Sequence, residues 1–194
     1  MEKCVEDITI LLNAIRTGDE HAGRDLLPKV YGELRRMAAA KMAKESHGQT
    51  IQATMLVHDA WMQLCEKGGA VFENRSHFFA AAAEAMRRIL VGNARRRLAQ
   101  KRAGSVEHVD ISELEIEAPT GTDDEILAVN ESLERFAAAD PRKAELVKLR
   151  YFTGISLDEV ASLLDISIST ANRYWLYARA WLHADISEAR GKEF

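Results

Sequence analysis

An all-α fold is predicted, with two small helical domains joined by a flexible acidic linker. Apolar residues recur every three or four positions in several segments on both sides of residues 104–123, which indicates helices with one buried face. The residues between these segments are acidic, include Pro119 and Gly121, and follow little period, which is typical of a linker. The predicted organisation is a first domain at residues 1–103, a linker at 104–123, a second domain at 124–186 and a tail at 187–194.

Two amphipathic helices are predicted at the start of the first domain. An apolar stripe beginning at Ile8 indicates the first helix, which ends at Thr17-Gly18. The second helix begins near Asp19. Pro28 either kinks this helix or opens a new segment, because proline has no N–H to donate to the preceding turn.

A third helix is predicted with Thr54 as its N-cap, and its apolar face leaves His58 and Asp59 on the opposite side. An adjacent His-Asp pair could be half of a metal-dependent phosphohydrolase site, but such a site needs further ligands from neighbouring helices. His47 and His77 are only loose candidates. We therefore expect no metal and interpret the pair as part of a polar surface, which can also serve as a docking face.

The longest predicted helix begins at Ser76 and follows a loop, residues 67–75, in which Phe72 looks exposed. Its C-terminal half carries many cations and no acid. These are Arg87, Arg88, Arg95, Arg96, Arg97, Lys101 and Arg102. A solvated basic face is the simplest interpretation of such a run, but a stripe this free of acids is also the electrostatic footprint of a phosphate-binding surface.

Charge is polarised along the chain. The formal net charge of −4 would argue against nucleic-acid binding if it were evenly spread. Basic residues instead dominate from Arg87 to Arg102, and no Lys or Arg occurs from Ala103 to Glu134. Local patches, rather than the total, decide contact with nucleic acid.

A helix-turn-helix is predicted after a helix that Asp140-Pro141 opens and Gly154 ends. Ser156 and Glu159 have the spacing of a capping box at the start of the first helix of the motif. Its inward positions are Leu157, Val160, Ala161 and Leu164. Asp165 then occupies the turn, where a left-handed backbone is needed and Asp is better tolerated than most residues.

The second helix of the motif is predicted to begin at Ser167 and to present a polar face outward. Its buried side consists of Ala171, Trp175, Ala178 and Leu182. The outward positions are Ser169, Thr170, Asn172, Arg173 and Tyr177. Side chains of these types near a helix N-terminus can reach base edges and phosphates in a major groove. An ordinary antiparallel helix pair is the alternative, but capping, turn and polar face coincide here. The residues after Leu182 are predicted to fray.

Cys4 and Cys65 are far apart and form no CxxC, which indicates a reducing, cytoplasmic setting. No export signal or membrane-spanning run is present in the sequence. The sequence also contains no phosphate-binding glycine loop, nucleophile constellation or complete set of metal ligands. We therefore expect no enzymatic activity, no catalytic residues and no cofactor.

Taken over both halves, the chain resembles bacterial RNA polymerase sigma factors of the small two-domain, extracytoplasmic-function (ECF) type. The segments LLPKVYGELRRMAAAKM, HGQTIQATMLVHDAWMQL and RSHFFAAAAEAMRRILVGNARRRLAQKR resemble sigma region 2. The segment LVKLRYFTGISLDEVASLLDISISTANRYWLYARAWL resembles sigma region 4. The ordered combination is more specific than the helix-turn-helix alone, which also occurs in response-regulator output domains.

The resemblance implies partners for the surfaces described above. Core RNA polymerase would bind through the clamp helices of its largest subunit to His58, Asp59, Gln63 and Glu66, and through the flap of its second-largest subunit to region 4. Promoter DNA would be contacted at the minus-10 element by Phe72, Asn74, Arg75, Arg87, Arg88, Arg95, Arg96 and Arg102. The minus-35 element would be read by the outward face of the helix-turn-helix. An anti-sigma factor is a further candidate partner, and no membrane is implied.

Three positions depart from the pattern of the family. His58-Asp59 stands where many members carry Gln-Glu, Asp165 replaces the usual turn glycine, and Tyr174-Trp175 stand where basic or small residues are common. The resulting hypothesis is a transcription initiation factor. The rival hypotheses are a stand-alone dimeric helix-turn-helix regulator and a His-Asp metal phosphohydrolase.

Overall fold

The computed structural model describes residues 8, 10–14, 17, 19–42, 50–66, 72–102 and 123–191, and every regular element within them is a helix. Helix α1 includes residues 8 and 10–14. The remaining helices are α2 (Glu20–Met42), α3 (Thr50–Glu66), α4 (Arg75–Arg102), α5 (Asp123–Ala139), α6 (Pro141–Thr153), α7 (Leu157–Leu163) and α8 (Ile168–Gly191). The predicted all-α fold is thus confirmed. Most of the predicted acidic linker lies outside the described residues.

Helix starts agree with the sequence-based expectations at α2 but not at α3 and α4. The Asp19 carboxylate accepts from the N–H of His21 at 2.9 Å, and α2 then continues through Pro28 without a break in the helix. Helix α3 begins at Thr50, so the prediction that Thr54 caps it was wrong.

At α4 the capping residue is Asn74 rather than Ser76. The Asn74 side-chain oxygen accepts from the N–H of His77 at 2.9 Å, and its backbone carbonyl accepts from Phe78 at 3.1 Å. Asn and Ser are comparably good N-caps, so local preference alone does not separate the two sites. Phe78 and Phe79, in the first turns of α4, are buried.

Helix α8 continues to Gly191, so the prediction that the chain frays after Leu182 was wrong. Contacts with α5 hold its last turns. The guanidinium of Arg135 on α5 pairs with the Asp185 carboxylate at 2.5 Å, and the Phe136 ring lies 4.9 Å from the Trp181 ring. Tertiary packing therefore extends a segment that has a polar sequence.

Two buried clusters form the core, and their division does not follow the predicted boundary between the two domains. The larger cluster joins α1–α4 to Leu146 and Leu149 of α6 and to the inner residues of α7. The smaller cluster joins Val91 and Ala94 of α4 to α5, α6 and α8. Helix α4 therefore contributes to both clusters and packs directly on α5 and α6.

Candidate nucleic-acid interface

The helix-turn-helix is built by local hydrogen bonds that its sequence predicts. Ser156 Oγ accepts from the N–H of Glu159 at 3.2 Å, and the Glu159 carboxylate accepts from the N–H of Ser156 at 2.9 Å. This capping box starts α7, whose Val160 and Ala161 are buried. After α7, Asp165 adopts a φ of 49°, which is the left-handed conformation expected for the turn.

Helix α8 begins after the turn with its own N-cap, Ser167. Ser167 Oγ accepts from the N–H of Thr170 at 3.1 Å and lies 2.9 Å from Thr170 Oγ1. Ala171, Ala178 and Leu182 are buried, whereas Trp175 is partly buried with the guanidinium of Arg150 5.3 Å from its ring centroid. The cap and the buried side of α8 together fix which side chains point outward.

Three of the five predicted DNA-reading side chains lie on the exposed face of α8. Ser169, Asn172 and Arg173 are exposed, and the Asn172 amide donates to the carbonyl of Ile168 at 3.0 Å. Thr170 is only partly exposed because its hydroxyl belongs to the cap. Tyr177 is exposed but lies at the edge of this face.

The position of Tyr177 follows from its neighbours on two other helices. Its ring lies 6.2 Å from that of Phe136 on α5, and the ammonium of Lys143 on α6 lies 4.9 Å from its centroid. The same ammonium also lies 5.0 Å from the ring of Tyr174. Tyr177 is thus held toward α5 and α6 rather than presented with Asn172 and Arg173.

One residue of the exposed face was not identified from the sequence. Leu176 is 64% exposed and lies on the same face, four residues after Asn172 and three after Arg173. Its helical spacing from those residues was the available signal. Leu176 was missed because an apolar side chain in an amphipathic helix normally belongs to the core. An exposed leucine among polar groups can instead contact a thymine methyl.

Side chains in the loop before α4 and at the start of α4 make more packing contacts than the sequence suggests. Phe72 was expected to look outward, but it is partly buried and packs edge-on against Phe78 at 5.1 Å. Arg75 pairs with the Glu33 carboxylate at 3.0 Å and lies 5.0 Å from the Phe79 ring centroid. Its Nε is buried without a hydrogen-bond partner in the described structure.

A groove of about 400 Å³ lies beside this loop. One wall consists of Asn74, Arg75 and Ser76, and the other consists of residues 162–165 at the end of α7 and in the turn of the helix-turn-helix. The loop predicted to hold a minus-10 base and the motif predicted to read the minus-35 element are therefore neighbours in this structure.

The cationic residues of α4 do not share one environment. Arg95 and Arg96 are exposed, and Arg88 is half exposed with its Nε 3.1 Å from the Glu84 carboxylate. The side chain of Arg102 lies outside the described residues. The fifth predicted contact, Arg87, is turned toward α5, where its guanidinium hydrogen-bonds the buried Asn130 and lies 3.3 Å from Glu134.

The outer face of α3 carries the predicted polymerase-docking residues. His58 and Asp59 are exposed, Gln63 is partly exposed, and the side chain of Glu66 lies outside the described residues. Two methionines that the sequence reasoning did not single out, Met55 and Met62, are 58% and 44% exposed on the same face. Polar and apolar groups thus alternate along this surface, as is common at protein interfaces.

A groove of about 440 Å³ runs between this face of α3 and the outer side of α4. Asp59, Met62 and Gln63 line its α3 side, and Arg88 and Arg96 line its α4 side. The predicted docking face and the exposed part of the basic helix are therefore adjacent surfaces.

Within the described part of the chain, no three His, Cys, Asp or Glu side chains are grouped so that they could hold a metal ion. The described helices also include none that is both long and apolar enough to cross a bilayer.

Comparison with known proteins adds a family match to this geometry. A family model described as ECF sigma factor matches residues 5–188, which is nearly the whole chain. No curated protein gives a significant match to the sequence.

Proposed function

The chain belongs to the ECF sigma factor family, whose members act in transcription initiation, and we propose that it binds core RNA polymerase in the cytoplasm and directs the enzyme to specific promoters. The observation that carries this proposal is the exposed polar face of α8, the second helix of a capped helix-turn-helix, in a chain that the family model matches from residue 5 to residue 188. No covalent chemistry is required of the protein in this role.

The proposed reader of the minus-35 element is the outward face of α8. Asn172 and Arg173 are exposed near the helix N-terminus, where amide and guanidinium groups can hydrogen-bond base edges in the major groove. Leu176 extends this face and supplies an apolar contact for a thymine methyl. Ser169, which is exposed, and Thr170, which is partly exposed, would contact phosphates, and Tyr177 would act from the edge of the face.

The proposed minus-10 surface combines the loop before α4 with the exposed cations of that helix. Arg88, Arg95 and Arg96 would follow the phosphates of the promoter strands. An unpaired base would enter the groove beside Asn74 and Arg75, where aromatic residues lie close by. Removing a base from the stack costs a few kcal/mol, which binding of the base and the phosphates offsets.

The proposed polymerase-docking surface is the outer face of α3. His58, Asp59 and Gln63 would contact the largest-subunit clamp helices through polar groups. Met55 and Met62 are adaptable apolar anchors on the same face, and methionine is enriched in surfaces that bind other proteins. Region 4 would also meet the second-largest-subunit flap, and an anti-sigma factor is a further candidate partner.

The decisive experiment is co-purification of the protein with bacterial core RNA polymerase, followed by transcription from a genomic fragment library with and without the protein. We expect a stable complex and transcription from a discrete set of promoters that core enzyme alone does not use. Binding to duplex DNA without any affinity for polymerase would instead identify a stand-alone regulator.

A further inference from the structure

Gly92 lies in the interior of α4 and is exposed, although the packing of the chain does not require a glycine there. Among the described residues, no atom beyond its own stretch of helix would lie within 4 Å of a Cβ added at this position. Glycine inside a helix is destabilising relative to alanine, because it loses more backbone freedom on folding. Internal packing thus gives no reason for the glycine, whereas a molecule that approaches α4 closely from outside would give one.

Cations flank Gly92 on the outward face of α4. Arg88 comes one turn before the glycine and Arg96 one turn after it, and both guanidinium side chains reach solvent. Residues four apart lie on the same face of a helix, so Arg88, Gly92 and Arg96 form a row. Helix α4 carries no acid after Glu84. The row therefore consists of two positive charges with an open gap between them.

The gap at Gly92 opens into the groove of about 440 Å³ between α3 and α4. Besides the row itself, Ile89 and Asn93 line the α4 side of this groove, and the amide of Gln63 faces them from α3. Pockets that hold small ligands have volumes of roughly 300–1,000 Å³, so the groove has room for one nucleotide of a strand.

Each of the two guanidiniums that flank the gap is held by a contact on its own helix. Arg88 Nε donates to the Glu84 carboxylate at 3.1 Å, and the Arg96 guanidinium donates to Asn93 Oδ1 at 3.0 Å. A guanidinium carries several further N–H donors, so each arginine can still reach a phosphate. Because these contacts already order the long side chains, less entropy is lost when they bind an anion.

We propose that one promoter strand crosses α4 at Gly92, where the missing side chain lets the sugar-phosphate backbone approach the helix, and that Arg88 and Arg96 hold the phosphates on either side. The proposal rests on the proposed function for the identity of the strand. It goes further by naming the crossing point and by giving a role to a residue without charge. Gly92 acts as a positioning residue, because the absence of its Cβ sets how closely the backbone approaches both guanidiniums.

The chemistry of the groove favours a nucleic-acid strand over a helix of the polymerase. Its α4 side presents the donor groups of Arg88, Arg96 and Asn93, and groups of these kinds bind phosphate and sugar oxygens without regard to sequence. Among the described residues that line the groove, Asp59 is the one acid, and it lies on the α3 side. Its charge would repel a phosphate and keep the strand against α4, which leaves the outer face of α3 to the polymerase.

The test compares substitutions at two matched glycines. Gly92→Ala and Gly92→Leu add side chains at the proposed crossing point. Gly32→Ala and Gly32→Leu make the same changes at an exposed glycine of α2, where an added Cβ would also meet nothing within 4 Å. Both alanine variants should raise the thermal midpoint of unfolding by about 2–4 °C, because alanine is the better helix former. Weaker DNA binding by Gly92→Ala could therefore not be a result of unfolding.

DNA affinity is measured for the holoenzyme on a promoter selected from the genomic library, and for the free chain on a fluorescent duplex with an unpaired central segment. Gly92→Leu should weaken binding to both about tenfold, and Gly92→Ala should weaken it less, because an inserted side chain pushes the strand away from the helix. The Gly32 variants should bind DNA as wild type does, and all four should bind core polymerase unchanged. Arg96→Ala should have a smaller effect in the Gly92→Leu background than in wild type, because the two residues serve one contact.

The crossing at Gly92 is overturned if folded Gly92→Leu binds both DNA probes as tightly as Gly32→Leu, or if wild type binds neither probe. Weaker binding of Gly92→Leu to core polymerase, with unchanged DNA affinity, would place a polymerase helix at Gly92 and would also overturn it. Failure of wild type to bind polymerase would remove the proposed function. A loss of affinity for the fluorescent duplex that is confined to the Gly92 variants would still support the crossing.

Discussion

Glu84 on α4 and Lys148 on α6 form an ion pair at 3.1 Å, which ties the long basic helix to the helix that precedes the helix-turn-helix. Arg87 and Arg88 pair with the same carboxylate at 2.8 and 3.1 Å. Three cations thus converge on one acid of a helix that otherwise carries mostly positive charge. Glu84 connects the two halves and also balances part of this charge.

The ionisation of Glu84 should make the free energy of unfolding depend on pH in the acid range. Burial opposes ionisation of this carboxyl, but hydrogen bonds from Arg87 and Lys148 and the charges of both lower the pKa of Glu84 from 4.5 to about 2. Because the folded pKa is below the unfolded value, the contribution is complete above pH 4.5 and is lost as pH falls toward 2. Its size is up to about 3 kcal/mol.

This dependence can be measured by urea unfolding of wild type and Glu84→Gln between pH 7 and pH 3. Glu84→Gln should be less stable than wild type at pH 7, and the difference should shrink as the pH falls. The other groups facing Glu84 are Arg88 and, through Arg87, Glu134, and the substitution leaves both in place. A stability difference that does not vary with pH would contradict the assignment.

Arg173→Ala should weaken promoter recognition without weakening polymerase binding. Arg173 is exposed on the outward face of α8, and loss of a bidentate base contact costs about 1–3 kcal/mol. The measurement is competitive binding of the holoenzyme to promoters with native and scrambled minus-35 elements. Arg190→Ala, at an exposed position near the end of α8, is the control of equal charge. Equal loss on both promoters would show that Arg173 contacts only the backbone.

Leu176→Ala should reduce the preference for a thymine at one minus-35 position. It should leave the stability of the fold nearly unchanged. The side chain is 64% exposed, so its truncation removes little buried surface. Replacing minus-35 thymines one at a time by deoxyuridine, which lacks the methyl group, should weaken wild-type binding at one position. The variant should bind both forms of that promoter equally. If no deoxyuridine substitution affects wild type, Leu176 does not contact a thymine methyl.

Asp59→Arg should weaken binding to core polymerase and leave the fold intact. Asp59 is exposed on α3 beside Met62, and reversing its charge would place a cation in the centre of the proposed docking surface. Affinity for core enzyme can be measured with fluorescent protein. Asp25→Arg makes the same change at an exposed position of α2 and should have no effect. Unchanged affinity in Asp59→Arg would remove the docking assignment.

The sequence predicted best those parts of the structure that depend on neighbouring residues. Ser156 with Glu159 and the left-handed Asp165 agree with the sequence-based predictions because each depends on backbone groups only a few positions away. The caps at Thr54 and Ser76 were wrong because several polar residues compete at each helix start. Local preference does not decide between such residues, because Ser, Thr and Asn are all favourable N-caps.

The contact between the two halves could not be derived from the sequence. Arg87 and Arg88 are identical and adjacent, and nothing local indicates that one of them reaches Asn130. Asn130 itself occupies a helical position that an apolar residue would normally fill, and in its buried place it accepts a hydrogen bond from Arg87 and donates one to Glu134. Pairing of this kind depends on how helices that are distant in sequence pack together.

Arg87 and Arg88 give the sharpest test of whether the inward and outward cations of α4 have different roles. Arg87→Ala would leave the buried Asn130 amide and the Glu84 carboxylate without their common partner, which should cost about 1–3 kcal/mol in the free energy of unfolding. Arg88 is 53% exposed, so Arg88→Ala should change stability by less than about 0.5 kcal/mol.

In promoter binding the expected effects of the two substitutions differ. Arg88→Ala should remove about one phosphate contact. The slope of log affinity against log salt concentration should therefore become shallower by about one, which a salt titration of holoenzyme binding measures. Urea unfolding of the two variants supplies the matching stability data. If Arg88→Ala destabilised the fold as much as Arg87→Ala and left the salt dependence unchanged, the two arginines would share a structural role. The division of α4 into an inward and an outward cationic side would then be wrong.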